Sequence, residues 1–177
     1  MAIVLLLGGA RSGKSAMAMR LASDSGAPVT FIATAQPGDD EMAERIKRHR
    51  IDRPVSWKTV EAPVDLLGAV LGSDGSDFLV LDCLTLWVSN LLGSGSSPEE
   101  VEAAASEVIA ALRGRAAVVV TNEVGLGIVP ANELARRFRD VLGAVNSLFA
   151  AAANRSVLMV AGRALDLSST EGVLGPL

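Results

Sequence analysis

The chain has 177 residues, half of them hydrophobic and a fifth charged, with a net charge of −4. That is enough for one compact domain with a sizeable core, and it excludes a disordered chain. The acidic balance argues against bulk attraction to nucleic acid or anionic membrane, the single cysteine, Cys83, excludes an internal disulfide, and no apolar run reaches the ~18 residues of a membrane span.

Ile3–Leu7 reads as a buried strand; it is too short for a signal-peptide core and runs straight into glycines. The expected location is therefore the cytoplasm. A helical pattern follows over residues 14–24, then a strand at Val29–Ala33. A polar turn at 36–39 opens a helix through Arg50. Trp57–Val60 is a short strand, Pro63–Leu71 is helical, and Ser73–Asp77 is a turn. Phe78–Asp82 is a continuous apolar strand. Leu84–Leu92 is helical, Gly93–Ser97 a flexible loop, and Pro98 suits the first turn of the next helix. Ala116–Thr121 is a strand. The long helix over 131–153 carries a stripe of Leu134, Phe138, Val141, Leu142, Val145, Leu148 and Phe149. Val157–Ala161 is the last expected strand, and the tail from Gly162 is loosely specified. Strands apolar on both faces, alternating with helices, predict an α/β fold: a mostly parallel sheet with helices on both faces, in one domain over residues 1–177.

Gly8-Gly9-Ala10-Arg11-Ser12-Gly13-Lys14-Ser15 matches G-x-x-x-x-G-K-[ST] at every fixed position. Glycines let successive backbone N–H groups turn inward onto phosphate oxygens, and the following helix aims its positive end there. Lys14 neutralises β- and γ-phosphates in such a loop, and the Ser15 hydroxyl holds Mg²⁺. The motif sits between an apolar strand and a helical pattern, the context it requires. An acidic residue at the end of a parallel strand completes the metal site. Asp82 closes Phe-Leu-Val-Leu-Asp and is the first choice; an ordinary helix cap is its other reading. Glu123, after the next strand, is the second choice.

His49 is the only histidine. At helical spacing it shares a face with Met42, Arg45 and Ile46, so one reading is a histidine packed on an apolar stripe. The other reading starts from Arg45, Arg48, Arg50 and Arg53, which crowd it. Neighbouring cations disfavour an imidazolium and keep the ring nucleophilic. Such a ring can attack an α-phosphorus to give a phosphoramidate, while the arginines grip phosphate oxygens. A solvated basic helix face is the plain alternative for the arginines, and spacing leaves both open.

These residues resemble the bifunctional adenosylcobinamide kinase/adenosylcobinamide-phosphate guanylyltransferase family of cobalamin synthesis. The likeness runs through GGARSGKS (8–15), FIATAQPGDDEMAERIKRHR (31–50), WKTVEA (57–62), LDCLTLWVSNLL (81–92) and TNEVGLGIVPANELARRFRDVLGAVN (121–146), nearly the whole chain. It implies a RecA-like P-loop domain assembled as a homotrimer. It also implies two reactions: ATP or GTP phosphorylates adenosylcobinamide, and GTP guanylylates a histidine that passes GMP to adenosylcobinamide phosphate. His49 is the implied guanylylated residue. The implied nucleotide contacts are Gly8 to Ser15, then Ala33, Thr34 and Ala35, then Arg50, Ile51, Asp52 and Arg53, with Glu61 and Asp82. The loop Gly125–Pro130 is expected to close over the corrinoid. The tail after Gly162 is longer and more polar than the family pattern. Two rival readings stand beside this one: a plain small-molecule kinase, and a RecA-type motor. Against the motor, aromatic content is 3%, which leaves few stacking platforms for single strands.

Overall fold

The computed structural model describes residues 2–169. In chain order its elements are β1 (Ile3–Gly8), α1 (Lys14–Asp24), β2 (Val29–Ala33), α2 (Asp40–Ile51), β3 (Lys58–Glu61), α3 (Leu66–Leu71) and β4 (Phe78–Asp82), followed by α4 (Leu84–Gly93), α5 (Pro98–Leu112), β5 (Ala116–Val120), α6 (Glu133–Ala152), β6 (Arg155–Val160) and β7 (Arg163–Leu167). The strands form one sheet in the order β3-β2-β4-β5-β1-β6-β7. Every pairing is parallel except β6 with β7.

Alternation along the strands divides the core in two. Leu5 and Leu7 of β1, Leu79 and Leu81 of β4, and Ala117 and Val119 of β5 face one side. There they pack against α3, α4, α5 and α6 through Leu66, Trp87, Val101, Val108, Leu142 and Phe149. Leu6, Phe31, Val80, Val118 and Val120 face the other side and meet α1 through Ala18 and Ala22. Two small residues on α1 let it lie close to the sheet. Each large side chain fully buried in this way contributes about 1.5–3 kcal/mol.

Helix starts follow local chemistry. Ser97 and Glu100 form a reciprocal capping box with Pro98 in the first turn of α5. Asn132 caps α6, and Asp65 accepts from the Gly68 N–H. The Asp65 cap starts α3 at Leu66 rather than at Pro63. Leu134, expected in the apolar stripe of α6, is 66% exposed, because the first turn of that helix overhangs the core.

The tail expectation is corrected in its first half. Residues 163–167 form an antiparallel edge strand, with Val160 opposite Arg163 across the two-residue turn Ala161–Gly162. Both turn residues have positive φ, 49° and 73°, as a type I′ hairpin turn demands. Arg155 and Asp166 pair across the two strands at 3.0 Å. The rest of the expected tail, from residue 170, lies outside the described residues. Among the described residues, no helix is long and apolar enough to cross a membrane.

Candidate active site

The carboxyl ends of β1, β2, β3, β4 and β5 open on one side of the sheet, where α/β folds place their ligands. A crevice of about 560 Å³ lies there. One wall is the loop from Ala10 to Ser15, and the floor is Ala33, Ala35, Asp82, Cys83, Val120 and Asn122. The opposite wall is α2 and the segment after it: Glu41, Met42, Ile46, Arg48, His49, Arg50 and Arg53. Glu61 closes the β3 side.

The glycine-rich loop is tightly built. Gly13 stands at φ 98° and caps α1 without a side chain, so the first N–H groups of the helix remain directed at the crevice mouth. The Lys14 ammonium is buried and donates to the carbonyls of Gly8 at 2.8 Å and Gly9 at 2.7 Å, and to Ser12 Oγ at 3.3 Å. The lysine thus holds the loop's curvature from inside. A Cβ at Gly8 would collide with the carbonyl oxygen of Met159, so β6 also fixes the loop's first residue.

α2 is held differently. Asp39 caps it by accepting from Met42 N at 2.7 Å, and Asp40 and Glu41 at its start and Arg48, His49 and Arg50 at its end complement the helix dipole. None of its described side chains is buried. Met42, Ile46 and His49 are half-buried and face the crevice, not the core, so the helical stripe seen in the sequence lines the site. Arg50 is ion-paired with Glu61 of β3. The Arg53 guanidinium lies 3.7 Å from the centre of the Phe31 ring. Burial lowers its pKa, the Asp82 carboxylate opposes that lowering, and Arg50 adds to it.

The remaining sequence candidates have other surroundings. Thr34 is fully buried; its hydroxyl donates to the Cys83 carbonyl at 2.7 Å and accepts from the Cys83 N–H at 2.8 Å, tying the end of β2 to the end of β4. Ile51 and Asp52 are exposed, and neither they nor Gly8 and Gly9 line the crevice. The Glu123 carboxylate accepts from the Gly125 N–H and closes a turn. Glu41, Cys83, Leu86 and Asn122 also line the crevice and are not among the sequence's site candidates. Asn122 is placed by a buried polar chain: its N–H donates to Thr85 Oγ1 at 2.7 Å, and its carbonyl accepts from Asn146 at 3.0 Å. A polar residue one or two places past an apolar strand is the signal that would have found it.

Ser15 and Asp82 supply one hydroxyl and one carboxylate to the same crevice. Among the described residues no group of three or more His, Cys, Asp or Glu could hold a metal. Two hard oxygen donors and no cage fit Mg²⁺, which keeps several waters and takes the rest of its shell from phosphate. The same set does not fit zinc or a structural calcium site.

A family model described as cobinamide kinase / cobinamide phosphate guanyltransferase matches residues 4–167. A protein of Pseudomonas aeruginosa named bifunctional adenosylcobalamin biosynthesis protein CobP is 44% identical, covering 92% of this chain and 95% of the relative. The Salmonella typhimurium protein named bifunctional adenosylcobalamin biosynthesis protein CobU is 46% identical, covering 90% of this chain and 96% of the relative. Among solved structures, an ATPase of a type III secretion system aligns with TM-score 0.57 at 11% identity, over 98% of this chain and 60% of that one. The RadB recombinase aligns with TM-score 0.51 at 12% identity, over 89% and 73%. These two likenesses show the fold alone, a RecA-like P-loop domain. The sequence matches show more: the chain belongs to the cobinamide kinase / cobinamide phosphate guanyltransferase family.

Proposed function

We propose that this chain carries out two successive transfers in one crevice. It phosphorylates adenosylcobinamide with ATP or GTP, then moves GMP from GTP through His49 to adenosylcobinamide phosphate, giving adenosylcobinamide-GDP and pyrophosphate. The observation that carries this reading is the placement of His49 on the wall opposite a complete phosphate loop. The family membership and the relatives' names, bifunctional proteins of adenosylcobalamin biosynthesis, support it.

The loop amides and Lys14 bind the polyphosphate, and Ser15 and Asp82 would hold Mg²⁺. When bound, the ion neutralises charge on the β- and γ-phosphates. In the first reaction the substrate hydroxyl bonds to the γ-phosphorus, loses its proton, and the nucleoside diphosphate leaves. In the second, a neutral nitrogen of His49 bonds to the α-phosphorus of GTP, the α–β phosphoanhydride breaks, and pyrophosphate leaves. A phosphate oxygen of the corrinoid substrate then takes the GMP, and the histidine is freed. Arg48, Arg50 and Arg53 stabilise charge on the transferring group, the main lever available in phosphoryl chemistry. Arg50 would release Glu61 to do so.

The test is an intact mass spectrum after incubation with Mg-GTP. The expected result is a gain of one GMP residue, lost in acid and discharged by adenosylcobinamide phosphate. A protein that phosphorylates adenosylcobinamide yet never gains mass would be a kinase only.

A further inference from the structure

Resting on the phosphate-loop reading above, the geometry points to the β6–β7 turn as a positioning element of the nucleotide site, acting through the Gly162 N–H on the Ser12 carbonyl. The Gly162 N–H donates to Ser12 O at 3.0 Å. The Ser12–Gly13 peptide is trans, so its C=O and N–H point in opposite directions. Fixing the carbonyl toward the hairpin turns the Gly13 N–H toward the crevice that Gly13 lines. A flipped peptide would instead present a carbonyl oxygen to the phosphates, a repulsive contact in place of a hydrogen bond.

The flip is a real alternative because both sides of the contact are unusual. Gly13 stands at φ 98° and, two residues before it, Arg11 at φ 56°, a stretch of backbone that needs outside support to keep one conformation. The hairpin supplies it. A Cβ built at Gly13 would lie 3.6 Å from the Gly162 Cα and 3.7 Å from Met159 Cε, and the Met159 carbonyl backs Gly8. The two-residue turn that sets Val160 opposite Arg163 needs positive φ at both positions, and Gly162 supplies it at 73°. β7 is otherwise exposed along its whole length and adds little to the core. Its clearest structural consequence is therefore the turn it forms with β6.

Gly162 offers a clean test. No atom lies within 4 Å of a Cβ added there, so a side chain acts through φ and not through a clash. A β-branched residue at φ 73° is an outlier, whereas Asn tolerates the left-handed region and keeps its N–H. Calorimetry with inorganic pyrophosphate and with GTP, each with Mg²⁺, should rank the parent and Gly162→Asn together and Gly162→Val well below them. The expected loss is at least about tenfold in affinity for both probes. Leu165→Gly weakens β7 without touching the turn, and should bind both probes within about twofold of the parent. Gly162→Ala, with milder strain, is measured alongside in case the Val variant does not fold, and should fall below Gly162→Asn. Equal affinity across the Gly162 series overturns the proposal, as does a loss in Leu165→Gly as large as that in Gly162→Val. A parent that binds neither probe would sink the phosphate-loop reading and this proposal together; a parent that binds both without the ranking sinks only this one.

Discussion

The two walls of the crevice are held by opposite means. On the loop side, Lys14 is buried among carbonyls, Ala18 and Ala22 pack α1 onto the sheet, and β6 backs Gly8. On the α2 side nothing described is buried; the helix rests on its Asp39 cap, the Arg50–Glu61 ion pair and the contact of Arg53 with Phe31. On the proposed function, the difference is a division of labour. A phosphate cradle works by preorganisation and needs a rigid support. A nucleophile that must approach a phosphorus and later hand its group on gains from a weakly anchored helix. Stability should therefore be sensitive on the first wall, and chemistry without stability on the second.

The sharpest way to break that contrast is His49→Ala. It should abolish the GMP adduct, preserve most phosphorylation of adenosylcobinamide, and shift unfolding by less than about 0.5 kcal/mol, because the side chain supports no core. Equal loss of both activities would mean that His49 is structural or serves both steps. Lys14→Ala should lower both transfers by about 10²–10³-fold, since it removes the ammonium that holds the loop's curvature and, on the proposed function, a charge beside the polyphosphate; nucleotide titration and turnover assays check it. Ala18→Leu should cost about 1–3 kcal/mol in urea unfolding, because α1 has no room for a larger residue against β1 and β4. On the other wall, Ile46→Ala should cost much less than that.

Cys83 gives a pH test of the crevice floor. Burial and the neighbouring Asp82 carboxylate push its thiol from 9.0 up to about 11. The folded form thus keeps its proton where the unfolded chain has lost it, so this contribution is intact below pH 9 and is lost as pH rises toward 11. Unfolding at pH 8 and pH 10.5 should show a drop on the order of 1–2 kcal/mol that Cys83→Ser removes. Arg50→Ala should have a small stability effect, about 0.2–1 kcal/mol, since its ion pair with Glu61 is exposed. Slower GMP transfer with unchanged unfolding would sharpen the comparison.

The buried half of the molecule was readable because its signals are local. Ile3–Leu7, Phe78–Asp82 and the glycine loop announce themselves by apolar runs and fixed spacing. β7 was not readable: Arg163–Leu167 is exposed at all five positions, so burial imposes no pattern, and Ala161 is not a residue that signals positive φ. Leu134 fits the stripe by spacing, yet spacing cannot say where the neighbouring helices end. The arginines were ambiguous for the same reason. Arg50 finds Glu61 eleven residues on, and Arg53 finds Phe31 twenty-two residues back, and neither pairing leaves a trace in helical periodicity. Helical spacing put Met42, Ile46 and His49 on one face; that this face lines the crevice and not the core is set by where α2 lies on the sheet, which spacing does not carry.

The most direct measurement is peptide mapping by tandem mass spectrometry after a short incubation with Mg-GTP, digested at neutral pH to preserve a phosphoramidate. The account predicts GMP on His49 and on no other residue, with labelling lost in Lys14→Ala because the loop no longer holds the triphosphate. GMP found on Lys14, or undiminished labelling of His49 in the lysine variant, would contradict the claim that the two walls act on one nucleotide.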